Sequence, residues 1–305
     1  MKKIKRPLLF GIPFLVLGGC VDSPDFDHSP KISFEDIYFV KSTGPGVKES
    51  LVISVNFKDG DGDLGLAPNK IDSGFHAINF LANDNGELLP VSSVLIPDFT
   101  GYTYKNTGKT PKNPSYLVQT PSKIVGELIT LDSRNERFSL PPFEKPYDCA
   151  ANLESYLNEG LSPDTVFIFK SDEYLIKNKA TIVDILENNQ NKNVYYYAVR
   201  DYFYIHVNPA HTNIKVQFMI KNGDGSFAEY DWRKETCETY DGRFPILTER
   251  SRSLEGTINY AMISSGFSAT FGIKRLKLVI TINDNALHAS NTVESREFTL
   301  EEITR

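Results

Sequence analysis

The sequence predicts a mostly β protein: an antiparallel β-sandwich interrupted by a partly helical insertion. Two observations lead to this fold class. Short apolar segments, often alternating with polar residues, recur along the chain with glycine, asparagine and proline turns between them. Between them, residues 90–192 are rich in loop signals and contain two short helical patterns.

The sandwich is expected in two parts, over residues 31–89 and 193–305. Its clearest strand is Ser50–Phe57, in which alternate apolar residues share one face, as in a half-buried strand. The remaining predicted strands are 31–40, 76–81, 194–207, 214–220, 257–263, 275–282 and 297–300.

The insertion contains three predicted features. Residues 98–123 are typical of a long loop or a hairpin. Residues 148–160 predict a short helix that Asp148 caps and Gly160 ends. A second helix is predicted over 181–188, where Ile182, Ile185 and Leu186 follow a helical spacing.

Residues 1–19 have the order of a secretory signal peptide. Four cations precede an apolar segment, 8–17, that is shorter than the roughly 20 residues needed to span a bilayer. The ending Leu-Gly-Gly-Cys20 resembles the lipobox of bacterial lipoproteins, and the alternative is an ordinary secretory peptide. The resemblance implies that Cys20 is lipidated by diacylglycerol and an acyl chain such as palmitate, and that residues 20–30 form a lipid-anchored tether.

Acidic residues follow Cys20 closely, at Asp22, Asp25 and Asp27. Acids at these positions resemble the surface-export signal of lipoproteins in the Bacteroidetes. The resemblance implies an outer-membrane location, on the periplasmic face or, as favoured here, at the cell surface.

The charge of the mature chain excludes one class of partner. The full sequence has 33 basic and 39 acidic side chains, and removal of the four signal-peptide cations leaves a net charge of −10. Non-specific binding to nucleic acid requires a basic face that meets the phosphates, so no nucleic-acid partner is expected.

Two cysteines remain once Cys20 is lipidated. Cys149 and Cys237 form an even pair in an oxidising compartment, which favours a disulfide. The alternative is two buried free thiols.

The most informative internal motif is Asp59-Gly-Asp61-Gly-Asp63-Leu-Gly, directly after a predicted strand. Three carboxylates at alternate positions of a glycine-rich turn converge on one point, and hard cations such as Ca²⁺ prefer six to eight oxygen ligands. The motif begins like an EF-hand loop but has Leu64 and Lys70 where that loop needs glycine and glutamate, so further oxygens must come from elsewhere. A plain acidic turn is the alternative.

This motif, shortly after a lipidation site, resembles a group of uncharacterised Bacteroidetes outer-membrane lipoproteins. That group often ends in a strand, an Asp-Arg-Ala-Gly/Leu-Asn turn and a Ser-Asn-Thr segment. Residues 282–293 match it at Asp284 and at four other positions, but Asn285 and His288 depart from it. The resemblance implies an immunoglobulin-like sandwich whose first and last strands are neighbours. Asp284 or Asn283 would then supply an oxygen to the Ca²⁺ site.

A basic, aromatic segment is the candidate binding loop. Residues 99–123 contain four lysines and no acid, which suits contact with a glycan, a headgroup or an acidic partner. An exposed flexible hairpin is the alternative. The candidate residues are Tyr102, Tyr104, Lys105, Lys109, Lys112 and Tyr116.

No nucleophile elbow, phosphate loop or zinc spacing occurs in the sequence, so an enzyme is not predicted. The function predicted is a non-catalytic binding or assembly subunit, anchored to the membrane by its lipid and bound to another outer-membrane protein or a glycan. A glycan-binding or adhesin-like surface protein is the alternative, and a hydrolase is less favoured.

Overall fold

The computed structural model describes residues 25–42, 44, 48–71, 74–82, 87–91, 99–111, 116–118, 128, 165–169, 182–190, 195–200, 203, 205–236, 239–248 and 252–305. These residues are mostly β, as predicted. Fifteen strands are described: β1 (Lys31–Val40), β2 (Glu49–Asp59), β3 (Ile78–Ala82), β4 (Glu87–Pro90), β5 (Tyr102–Tyr104), β6 (Tyr116–Val118), β7 (Val166–Phe169), β8 (Ile182–Asn188), β9 (Tyr195–Val199), β10 (Ile205–Val207), β11 (Ile214–Lys221), β12 (Phe227–Tyr230), β13 (Leu254–Ser264), β14 (Leu276–Ile282) and β15 (Val293–Glu294). The short helices are α1 (Trp232–Thr236) and α2 (Phe267–Phe271), and 3-10 turns cover Pro209–His211 and Glu301–Ile303.

Two antiparallel sheets share the first hydrophobic core. One has the strand order β1-β2-β13, and the other has the order β12-β11-β14-β15. Alternate residues of the central strands point into this core, among them Ile53 and Val55 of β2 and Val216 and Phe218 of β11. Because one face of these central strands is more deeply buried than the other, the period-two pattern is visible in the sequence.

The second region has its own cores and more irregular sheets. β10, β3 and β4 form a three-stranded sheet, and a five-stranded sheet has the order β5-β8-β9-β7-β6 with a parallel β6–β7 pair. Aromatic residues fill much of this region, including Tyr116, Phe167, Tyr196, Tyr197 and Phe203. The tyrosine-rich segment after residue 194 is therefore largely buried.

The helix predicted over 181–188 is wrong, because residues 182–188 form β8. The register of β8 against β9 shifts between Ile182 and Asp184, which interrupts the alternation. After this bulge, Ile185 packs against one core and Leu186 against another. Apolar residues on both faces of a bulged strand thus produce a spacing that imitates a helix.

Strand pairing also departs from the predicted layout. β5 and β6 lie at opposite edges of their sheet, so residues 98–123 are not a simple hairpin. β3 pairs with β10 and β4 rather than with the strands of the first core. Residues 297–300 contribute one bridge, Phe298 to Leu276, instead of a strand. The predicted signal peptide, the helix at 148–160 and Cys20, Cys149 and Cys237 lie outside the described residues.

Candidate metal centre

The acidic loop, residues 59–65, begins where a central strand ends. Asp59 is the last residue of β2, which is paired on both sides, and its side chain is fully buried. Gly65 has a φ of +102°, and a Cβ built there would lie 2.3 Å from the backbone oxygen of Pro245. The loop therefore folds back sharply, and residues 244–247 close over one side of it.

The turn at residues 284–288 closes the other side. The Asn285 Nδ2 donates to the carbonyl oxygens of Asp63 and Gly65, at 3.1 and 2.9 Å. The backbone amide of Ala286 donates to Asp63 Oδ2 at 3.0 Å. These bonds hold Asp284 against the loop, although more than 200 residues separate the two in sequence.

Four carboxylates meet at this junction. One oxygen each from Asp59, Asp61, Asp63 and Asp284 lies within 4.8 Å of the other three. Asp59 and Asp284 are buried, whereas Asp61 and Asp63 are partly exposed. The cluster is thus closed on the side of the core and open towards solvent.

Several of these oxygens already have partners. The His288 backbone amide donates to Asp284 Oδ1 at 2.7 Å, and its Nδ1 lies 2.9 Å from Asp284 Oδ2. The Nδ1 of His28 lies 3.2 Å from Asp61 Oδ2. Both histidines stand at the rim of the cluster, and sequence analysis did not connect either of them with it.

Four oxygens remain without a hydrogen-bond partner although they are buried: both oxygens of Asp59, Asp61 Oδ1 and Asp63 Oδ1. A buried carboxylate oxygen that lacks a partner costs free energy, because it has lost its water without compensation. A cation among these oxygens would supply the missing interaction.

The pKa values of Asp59 and Asp63 reflect this burial of carboxylates next to one another. Burial, followed by repulsion from Asp61 and Asp284, raises the pKa of Asp59 to about 6. The amides of Gly62 and Leu64 point towards Asp59 and lower its pKa in part, but neither makes a well-formed hydrogen bond. Burial and repulsion from Asp284 likewise raise the pKa of Asp63 to about 6. At the rim, the hydrogen bond to Asp284 raises the pKa of His288.

The donor set fits a hard cation such as Ca²⁺. All four ligand groups are carboxylates, which hard cations prefer. Opposite ligands of Ca²⁺ are separated by about 4.6–5.2 Å, so oxygens that all lie within 4.8 Å of one another can share a single Ca²⁺. The open side leaves room for water or another ligand.

The N-terminal segment attaches to the same loop. The Gly60 amide donates to the carbonyl oxygen of Asp27 at 2.9 Å. A Cβ on Gly60 would lie 2.3 Å from the carbonyl oxygen of Phe26, so only glycine allows this approach. Residues 26–28 are therefore held on the acidic loop, unlike the flexible tether that the sequence predicts for 20–30.

The candidate binding loop is less available than predicted. Tyr116 is buried, and Tyr102 and Tyr104 pack with Phe99, Phe167 and Tyr196. Lys105 and Lys109 are exposed, with the Lys105 Nζ 3.6 Å from Glu187, and Lys112 lies outside the described residues. The described rings of this segment thus pack against the core, while Tyr102 and Tyr104 keep part of their surface exposed.

A polar groove of about 380 Å³ lies beside β11 and β12. It is lined by Tyr230 and Trp232 and by Lys215, Gln217 and Glu229. Such a mixture of rings and hydrogen-bonding groups suits a small polar ligand.

No protein-family model, curated protein or solved structure matches this chain. Within the described residues, every helix is too short or too polar to cross a membrane.

Proposed function

We propose that this chain is a lipid-anchored outer-membrane protein that acts as a non-catalytic binding or assembly subunit and that Ca²⁺ stabilises its fold. The Ca²⁺ ion would bind Asp59, Asp61, Asp63 and Asp284. In this proposal the two sheets of the first core form the immunoglobulin-like sandwich that the sequence resemblance implies. The lipid anchor at Cys20 rests on the sequence pattern of residues 1–20.

One observation carries the Ca²⁺ part of the proposal. Four buried carboxylate oxygens without partners converge at the junction of three segments: residues 26–28, the acidic loop and the turn at 284–288. A cation there cross-links parts of the chain that are far apart in sequence. Its proposed role is structural: it binds the native state beside the first core and so stabilises the fold, and it does not line a substrate cavity.

Thermal melting with Ca²⁺, Mg²⁺ or a chelator tests the proposal. At 100 times the Kd, a ligand specific for the native state adds about 2.7 kcal/mol, which for a domain of this size corresponds to about 5 °C or more in Tm. We expect Ca²⁺ to produce this shift and Mg²⁺ to produce a smaller one at equal concentration, because Mg²⁺ gives up its bound waters reluctantly and is seldom held by protein carboxylates alone.

Two variants provide the comparison. Asp59→Asn should abolish the Ca²⁺ shift, because it removes the buried charge at the centre of the cluster. Asp224→Asn changes the carboxylate of another glycine-rich turn, where the Ser226 amide and hydroxyl already bind it, and should leave the shift intact. A wild-type Tm that is the same in Ca²⁺ and in chelator would refute the Ca²⁺ site.

Binding of a glycan is the second candidate, and the groove beside β11 and β12 favours it. Tyr230 is half-buried there, next to Gln217 and Glu229, whose side chains bond each other at 3.2 Å. A glycan array with wild type and Tyr230→Ala tests this candidate. Specific signal that the variant loses would support it, whereas a stoichiometric membrane-protein partner in a pull-down from solubilised outer membrane would favour the assembly role.

A further inference from the structure

Three large apolar side chains are exposed close to the acidic loop. Ile246 is 46% exposed, Leu247 38% and Leu287 48%. Single exposed apolar residues are ordinary, but a group of them beside polar residues marks an interaction surface. We call Ile246, Leu247 and Leu287 the apolar rim.

The contacts of the acidic loop place all three residues at its edges. The Leu247 amide donates to the carbonyl oxygen of Leu64 at 3.4 Å. The Cα of Ile246 lies beside Gly65, since a Cβ built on that glycine would be 2.5 Å away from it. Leu287 belongs to the turn that binds Asp63 through the Ala286 amide. The apolar rim thus flanks the candidate Ca²⁺ site from both closing segments.

Leu287 also has an unfavourable backbone conformation. Its φ is +68°, and among the described residues it is the one non-glycine residue with a positive φ. Leucine in this region costs about 1 kcal/mol or more, whereas glycine or asparagine tolerates it. An exposed leucine at a strained position contributes little to folding, which indicates a role in contact with something outside the chain.

The position of the N-terminal segment indicates what that contact is. Asp27 is bonded to Gly60 in the acidic loop and lies seven positions after Cys20. Seven residues span at most about 25 Å. A lipid on Cys20 therefore keeps the acidic loop, and the apolar rim beside it, within that distance of the bilayer surface.

The charges around the rim permit contact with anionic headgroups only when a cation is bound in the acidic cluster. Without one, four carboxylates cluster beside the rim, two of them partly exposed, and repel anionic headgroups. Ca²⁺ would cancel half of this charge, and headgroup phosphate oxygens could occupy ligand positions on the open side. Lys58 and Lys70 also lie near the site: the Lys58 Nζ is 5.2 Å from the Phe26 ring, and the Lys70 Nζ donates to Asn285.

We infer that the apolar rim inserts into the headgroup region of the membrane that carries the lipid anchor and that Ca²⁺ in the acidic cluster permits this contact. The inference rests on the proposed anchor and Ca²⁺ site and adds a second, reversible membrane contact. Such a contact would fix the orientation of the first core on the bilayer, which a single flexible tether cannot do.

Co-sedimentation with vesicles tests the inference. The mature chain with Cys20→Ser, which carries no lipid, is mixed with vesicles of phosphatidylethanolamine and phosphatidylglycerol in Ca²⁺ or in chelator. We expect binding in Ca²⁺ and at least tenfold weaker binding in chelator. In Ca²⁺, Leu287→Asn should weaken binding about tenfold, because the leucine side chain, once inserted among the headgroups, supplies much of the apolar contact.

The same variant separates docking from folding. Asparagine tolerates a positive φ, so Leu287→Asn should keep or raise the Tm and keep the Ca²⁺ shift while it loses vesicle binding. The matched control is Ile273→Asn, because Ile273 is 95% exposed in the turn after α2, outside the rim. This control should bind vesicles like the parent chain.

The failure of each proposal is distinguishable. A chain whose Tm rises with Ca²⁺ but which does not sediment with vesicles retains the Ca²⁺ site and overturns the membrane contact. Unchanged vesicle binding by Leu287→Asn overturns the role of the rim, and so does sedimentation in Ca²⁺ without vesicles, which would indicate self-association. If Ca²⁺ affects neither Tm nor sedimentation, the Ca²⁺ site itself is wrong.

Discussion

Two glycine-rich turns of this protein look alike in sequence but differ in their surroundings. The acidic loop follows β2, and a second turn, Asn222–Ser226, joins β11 to β12. In the second turn, Asp224 is exposed and accepts bonds from the Ser226 amide and hydroxyl at 2.9 and 2.6 Å. In the acidic loop, Asp59 is buried and neither of its oxygens has a partner.

The pKa values of the two carboxyls move in opposite directions. Hydrogen bonds from Ser226 lower the pKa of Asp224, whereas burial and neighbouring acids raise that of Asp59 to about 6. The difference arises because other segments, residues 244–247 and 284–288, close over the acidic loop, while a Cβ built on Gly223 or Gly225 would have no described atom within 4 Å apart from its chain neighbours. Tertiary contacts, and not the Asp-Gly pattern, therefore create the candidate site.

The largest expected effect comes from filling the space above a glycine in each turn. Gly65 and Gly225 both have positive φ, +102° and +86°. An alanine Cβ at position 65 meets the Pro245 backbone, whereas at 225 it meets nothing. Gly65→Ala should cost roughly 3 kcal/mol and Gly225→Ala about 1 kcal/mol in the free energy of unfolding, measured by urea denaturation.

Equal costs for the two alanine variants would contradict this comparison. Such a result would mean that residues 244–247 move away from the acidic loop without loss of stability. The closing of the loop would then no longer explain why its carboxylates are buried.

The next effect is the pH dependence of Asp59. Its pKa is raised from 3.8 to about 6 in the folded state, so the metal-free native state binds its proton more tightly than the unfolded state does. The stability from this group is present below pH 4 and is lost as the pH rises through 6. In chelator at pH 8, Asp59→Asn should therefore raise the Tm by a few degrees, on the order of 3 °C.

The pH series supplies the check on this prediction. At pH 5 the wild-type carboxyl is largely protonated and neutral, so the advantage of Asp59→Asn should shrink. With Ca²⁺ at pH 8 the order should reverse, because the variant cannot bind the ion. If the variant is less stable than wild type in chelator at every pH, the carboxylate has a partner that the proposed site does not include.

Most of the first core could be predicted from the sequence. In β2, β11 and β14 one face is more deeply buried than the other, so apolar residues alternate along them. These strands lie where the sequence pattern predicts them. The second region could not, because β8 carries a bulge and apolar side chains on both faces, and no local pattern records which strand pairs with β3.

The sequence predicts the carboxylates of the candidate site but not the segments, residues 244–247 and 284–288, that pack over them. The repeated Asp-Gly spacing predicts that Asp59, Asp61 and Asp63 converge, and the sequence resemblance pointed to Asp284. The role of Asn285 depends on contacts across more than 200 residues, that of His28 on a contact with Asp61, and that of Leu287 on a single backbone angle. The local sequence at this turn offers one clue, Leu287 between Asp284 and His288. Its positive φ becomes visible only in the structure.

The smallest effect belongs to Asp224, and its sign is opposite to that of Asp59. Its pKa is lowered in the folded state, so its contribution is present above pH 4 and is lost as the pH falls through the folded value. Asp224→Asn should therefore lower the Tm at pH 7, by no more than about 2 °C because the turn is exposed, and should have a smaller effect near pH 3. Calorimetric melts of wild type and variant at the two pH values measure this difference. A variant that is more stable than wild type at pH 7 would show that Asp224, like Asp59, is an unsatisfied charge and would remove the contrast between the two turns.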